Sequence, residues 1–151
     1  MLKPLLFVAL ISSSLFAHAA GIGNVFGVLL GQSGALESDN AIDDVLVKVS
    51  AQMNKKLPIA VDGETRLDSV SAVPGQHFIY HYTLVALNSA DVSAESFQTV
   101  IKPQLKSRLC ESAEMQNFLR NGVTISYLYK GKDGQPIGSA KFEPSECGYK
   151  R

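Results

Sequence analysis

The chain has 151 residues, 46% of them hydrophobic, with 14 basic and 14 acidic side chains and a formal charge of zero at pH 7. That balance argues against a nucleic-acid-binding protein, which needs a basic face to neutralise phosphates. The length suits one domain with an ordinary core.

Met1-Leu2-Lys3 is a short basic start, and Leu5 to Phe16 is apolar apart from Ser12, Ser13 and Ser14. Ala17-His18-Ala19 supplies small residues at both positions that signal peptidase reads. Residues 1–19 are therefore predicted to be a cleaved secretory signal, and the mature chain to be exported, periplasmic or secreted. The run is too short and too serine-broken to read first as a membrane span. No residue from Pro4 to Leu36 is charged, so an uncleaved membrane anchor is the competing reading. The lack of a cysteine near the cleavage point argues against a lipid anchor.

Residues 20–37 form an apolar, Gly-rich arm. Gly23, Gly27 and Gly31 recur every four residues and would share one helix face, beside Phe26 and Leu30. Small residues at that spacing permit close helix packing, which makes this a candidate docking arm for a membrane surface, a second copy or a partner. The alternative is a flexible tail, because glycine is a poor helix former.

A single domain is expected over residues 38–151. Asn40 can cap a helix, with Asp43 and Asp44 in its first turn. Ile42, Val45, Leu46, Val49, Met53 and Leu57 follow at helical spacing, and Pro58 ends the run. Ile59 to Val61 and Thr65 to Val73 read as extended, with a turn at Pro74-Gly75. His77 to Leu87 alternates as a strand, with Phe78, Tyr80, Tyr82 and Leu84 on one face and His77, Ile79, His81 and Thr83 on the other.

A helix from about Ser93 carries Phe97, Val100, Ile101, Leu105 and Leu109, and Pro103 should kink or split it. A second runs from about Ser112 to Arg120 and closes at Asn121-Gly122. Val123 to Lys130 and Pro136 to Glu143 read as a hairpin around Gly131-Lys-Asp-Gly134. The order is helix, two strands, one or two helices, two strands. This predicts an α+β domain: a four-stranded, mostly antiparallel sheet with helices on one face. Cys110 and Cys147, the only cysteines, read as one disulfide in an exported chain. It would close a loop of about 38 residues and contribute about 4 kcal/mol on the chain-entropy account.

No catalytic constellation stands out. His77 and His81 share a strand face, but four residues span about 13 Å, too far for one metal with bonds near 2.1 Å. Gly-x-Ser-x-Gly is absent, and cysteines held in a bridge supply no nucleophile. Asp62, Glu64 and Asp68 gather three carboxylates around Arg66, which suits a solvated, ion-paired turn or an acid–base pair. Asp133 lies in a loop without the further oxygen ligands that calcium needs. Tyr80, Tyr82, Tyr127 and Tyr129 make either an aromatic binding surface or a core with hydroxyls at its rim, and Phe78 and Leu84 on the same face favour the core.

Several stretches carry a resemblance: Met53-Asn-Lys-Lys-Leu-Pro58, Val61-Asp with Thr65-Arg-Leu-Asp68, Tyr80-His-Tyr-Thr-Leu84, Leu105 to Cys110, Asn121-Gly-Val-Thr124, and Pro144 to Cys147. Over about residues 45–147 the chain resembles a group of small exported gammaproteobacterial proteins. The resemblance implies a scaffold with paired cysteines and no established activity, and it transfers no functional residue. The function expected is an exported, non-enzymatic domain that binds a protein or cell-envelope partner, with no cofactor or metal. The alternatives are a small secreted hydrolase and a secreted factor acting on a host or competitor.

Overall fold

The computed structural model describes residues 39–150. The predicted signal peptide and arm, with Gly23, Phe26, Gly27, Leu30 and Gly31, lie outside the described residues. Helix α1 (Asp39–Asn54) buries Ile42, Val45, Leu46, Val49 and Met53, the stripe set by its helical periodicity. It already includes Asn40, so that residue lies within the helix and does not cap it.

The sheet has five strands, not four. They are β1 (Ile59–Ala60), β2 (Thr65–Val73), β3 (His77–Leu84), β4 (Thr124–Gly131) and β5 (Pro136–Phe142), in that spatial order. The added strand is β1, which pairs only Ile59 with Leu67 and Ala60 with Arg66. Two residues carry no period-two pattern, so the stretch was legible as extended but not as a strand. Its return is set by Asp62, whose carboxylate accepts the N–H groups of Glu64 at 2.8 Å and Thr65 at 2.7 Å. The sheet is mixed: β3 and β4 run parallel and the other pairs antiparallel.

A parallel pair needs a long crossover, and the helices supply it. After β3 come a one-turn helix α2 (Ala94–Ser96), a π-helical turn (Phe97–Ile101), α3 (Lys102–Glu111) and α4 (Ala113–Arg120). The π turn ends just before Pro103, whose missing N–H cannot serve a regular α ladder there. Ser112 accepts the Met115 N–H and starts α4 as a separate helix.

One core lies between the sheet and the helices. Leu67, Val70, Phe78, Ile125, Ala140 and Phe142 from the strands meet Leu46, Val49, Leu109 and Phe118 from the helices. A Cβ at Gly138 would lie 2.7 Å from the Phe97 ring, so the absent side chain lets the π turn rest on β5. A disulfide joins Cys110 at the end of α3 to Cys147 in the turn that follows β5, with Cα atoms 5.2 Å apart. The outer edge of β2 is closed by Asn54, whose amide donates to the Val70 carbonyl and accepts its N–H, both at 2.9 Å. Among the described residues, no helix is long and apolar enough to cross a membrane.

Candidate functional site

Strand alternation sends the two sets of β3 and β4 side chains to opposite sides of the sheet. Tyr80, Tyr82, Tyr127 and Tyr129 all go to the helix side. Tyr80 faces Tyr127 with ring centroids 5.5 Å apart, and Tyr82 stacks on Tyr129 at 5.0 Å. Tyr80 and Tyr127 are buried, and the Tyr80 hydroxyl donates to the Met115 sulfur at 3.7 Å. Tyr82 and Tyr129 are half-buried at the end of the stack. Burial pushes all four phenols up, Tyr129 to about 12. They are neutral packing groups with hydrogen-bonding tips.

The opposite, open face gathers the polar chemistry. Register places Ser71, His77, His81, Thr83, Ser126, Lys130 and Lys141 there, and Asp68, at the bulge between Leu67 and Ser69, joins them through its bonds to Thr83 and Lys130. Asp68 is the hub. It accepts from Thr83 Oγ1 at 2.5 Å, pairs with Arg66 Nε at 2.6 Å, and lies 3.5 Å from Lys130 Nζ. Burial would raise its carboxyl, but the Thr83 and Arg66 bonds and the charges of Arg66 and Lys130 outweigh that and hold it low.

His81 Nε2 shares a 3.0 Å hydrogen bond with Ser71 Oγ, and His77 Nε2 shares one of 2.7 Å with Ser126 Oγ. Burial lowers both imidazoles; Lys130 lowers His81 further while Asp68 partly raises it, and Lys141 lowers His77. A serine beside a histidine is the start of a nucleophile–base pair. The nearby carboxylate, Asp68, is already engaged with Thr83 and Arg66. Among the described residues, no three His, Cys, Asp or Glu side chains gather as metal ligands.

A groove of about 510 Å³ crosses this face at the β3–β5 end, lined by Asp68, His81, Leu128, Lys130, Ile137 and Ser139 among others. That volume lies in the range of ligand sites. Sequence reasoning missed the groove, because its walls come from strands distant in the chain. The available signal was local: Arg66 and Asp68 are two apart on one strand and so share a face. Two other carboxylates are structural. Asp62 forms the β1–β2 turn, and Asp133 accepts the Ser89 N–H at 3.2 Å and hydroxyl at 2.8 Å, fastening the loop after β3 to the β4–β5 turn.

Residues 40–137 match the family described as a domain of unknown function, DUF8479. The chain belongs to that family. Among curated proteins, no sequence matches this DUF8479 member. Its fold is similar to three solved structures from gammaproteobacteria, in line with the resemblance seen in the sequence. A Pseudomonas aeruginosa protein described as secreted superposes with a TM-score of 0.62 at 21% identity, covering 76% of this chain and 99% of that one. The pilotin EpsS of the Vibrio vulnificus type 2 secretion system gives 0.59 at 16% identity, over 74% and 96%. The type II secretion system pilotin AspS of Vibrio cholerae gives 0.57 at 13% identity, over 76% and 100%. At these identities the likeness to DUF8479 is one of fold.

Proposed function

We propose that this DUF8479 protein is an exported, non-enzymatic domain that binds a protein or cell-envelope partner through its open sheet face. The observation that carries the reading is the groove, lined from the open side by Asp68, His81, Leu128, Lys130 and Ser139, with Ile137 and with Tyr82 and Tyr129 of the aromatic stack also in its lining. Apolar walls with a few converging polar groups are what a recognition site requires. The fold shared with two secretion-system pilotins supports an envelope component of a secretion machine as the partner.

The organisation proposed is a signal peptide at residues 1–19, an arm at 20–37 and the binding domain at 38–151. The arm, through Gly23, Phe26, Gly27, Leu30 and Gly31, adds a second contact to membrane, partner or a second copy. Intact-mass measurement of the periplasmic protein should show a chain beginning at Ala20.

The binding reading is tested by placing a photo-cross-linking amino acid at Leu128, on the open face, or at Val47, exposed on the outside of α1. A discrete protein adduct is expected from Leu128 and not from Val47. No adduct at Leu128, or the same adduct from both positions, would overturn the reading.

A further inference from the structure

We infer that the open face takes an extended, acidic polypeptide segment with an apolar side chain between its carboxylates. The inference rests on the reading of that face as the binding surface and adds the chemistry of its partner.

Every charged or histidine side chain of the five strands belongs to this face: Arg66, Asp68, His77, His81, Lys130 and Lys141. Three fixed cations stand against one carboxylate. That carboxylate is engaged by Thr83, Arg66 and Lys130 together, so the face keeps a positive excess. Arg66 and Lys130 side chains remain 45% and 47% exposed beside it. Of the carboxylates at the sheet's margins, Asp133 is committed to Ser89 and Glu143 to the cap of the turn after β5, while Glu64 stands exposed just before β2, so two carboxylates at most offset the three cations.

The cations fall into two groups. Lys130 and Arg66 lie toward His81, and Lys141 lies by His77. His77 and His81 are four residues apart on β3, about 13 Å, which is also four residues of an extended peptide. Carboxylates at that separation meet both groups at once, while the residue between them faces Ile79 and Leu128. A lipid surface fits less well. The exposed large apolar residues among those described are valines and leucines, without an aromatic to seat at the headgroup level, and the apolar wall lies inside a groove.

The test uses the mature full chain and a twelve-residue peptide repeating Glu-Ser-Leu-Ser, which puts Glu and Leu in turn on one face of an extended chain, beside its Lys-for-Glu counterpart and vesicles of phosphatidylglycerol. The acidic peptide is expected to bind and the basic one not to. Binding should weaken about tenfold between low and moderate salt, as screening predicts. Lys130→Glu with Lys141→Glu should cost at least about tenfold in affinity, since like charges then face each other. Lys48→Glu on α1 should change nothing. Equal binding of both peptides, no binding of the acidic peptide, or vesicle binding that needs Lys130 and Lys141 without peptide binding would each overturn the inference. The cross-link separates the two ideas. An adduct at Leu128 that persists in the double Lys variant leaves the binding reading standing and removes the acidic partner.

Discussion

The two faces of the sheet are made from the same strands and do different work. On the helix side, Phe78, Ile125, Phe142 and the tyrosines close against Leu46, Leu109 and Phe118, with several of these side chains fully buried. On the open side, a one-residue offset along the same strands presents His77, His81 and Lys130. The covered face gains its stability from area removed from water, about 1.5–3 kcal/mol for each large apolar side chain. The open face contributes little of that, because exposed ion pairs are worth about 1 kcal/mol or less. Substitutions on one face should therefore change folding, and on the other recognition.

The sharpest way to break that division is at its strongest point. Phe78→Ala should cost about 3–5 kcal/mol in equilibrium unfolding, the range for a fully buried aromatic. A loss below about 1 kcal/mol would show that the helix layer is not the stabilising one. Next comes the staple. Replacing Cys147 with Ser should cost about 2–5 kcal/mol, since the bridge restrains the unfolded chain. Alkylation of the unfolded, unreduced periplasmic protein should label neither Cys110 nor Cys147. Gly138→Ala should cost about 1–3 kcal/mol by driving a methyl into the Phe97 ring, and a neutral result would mean that the π turn moves off β5 easily.

Much of the covered face was legible in the sequence. The spacing of Ile42 to Met53 and the alternation of Phe78, Tyr80 and Tyr82 both report burial directly. The break around Pro103 was legible for the same reason, because a missing N–H is a local fact. Three features were not. Strand β1 is too short for periodicity, and its pairing depends on the Asp62 turn. The parallel pairing of β3 with β4 is set by how the helices cross. The Asp68, Thr83 and Lys130 cluster joins three strands, and alternation gives each residue's face without giving its neighbours. The tyrosines fit either face by composition, and it was Phe78 and Leu84 on the same strand face that pointed them to the helix side.

The smallest effect expected is the most discriminating, because it runs in opposite directions for folding and for binding. His77 and His81 are held below the ordinary imidazole range by burial first and by Lys141 and Lys130 second. The folded chain therefore binds protons there less readily than the unfolded chain does. Their contribution to stability is complete above the unfolded value near 6.5 and is lost as pH falls through it toward the folded values. Asp62 and Asp68, both held low, lose theirs only in stronger acid, and Glu114, raised by burial, acts with the opposite sign there. Between about pH 7 and pH 5.5 the histidines thus set the slope. Denaturant unfolding should show a modest loss of stability across that interval, and His77→Gln with His81→Gln should flatten it. Protonation also adds positive charge beside Lys130 and Lys141, so an acidic peptide should bind more tightly over the same interval. On the helix side, Glu114 opposes the histidines as pH falls, since burial raises its carboxyl. Stability that stays level or rises toward pH 5.5, or a slope unaltered in the double variant, would show that the open face does not titrate independently of the core.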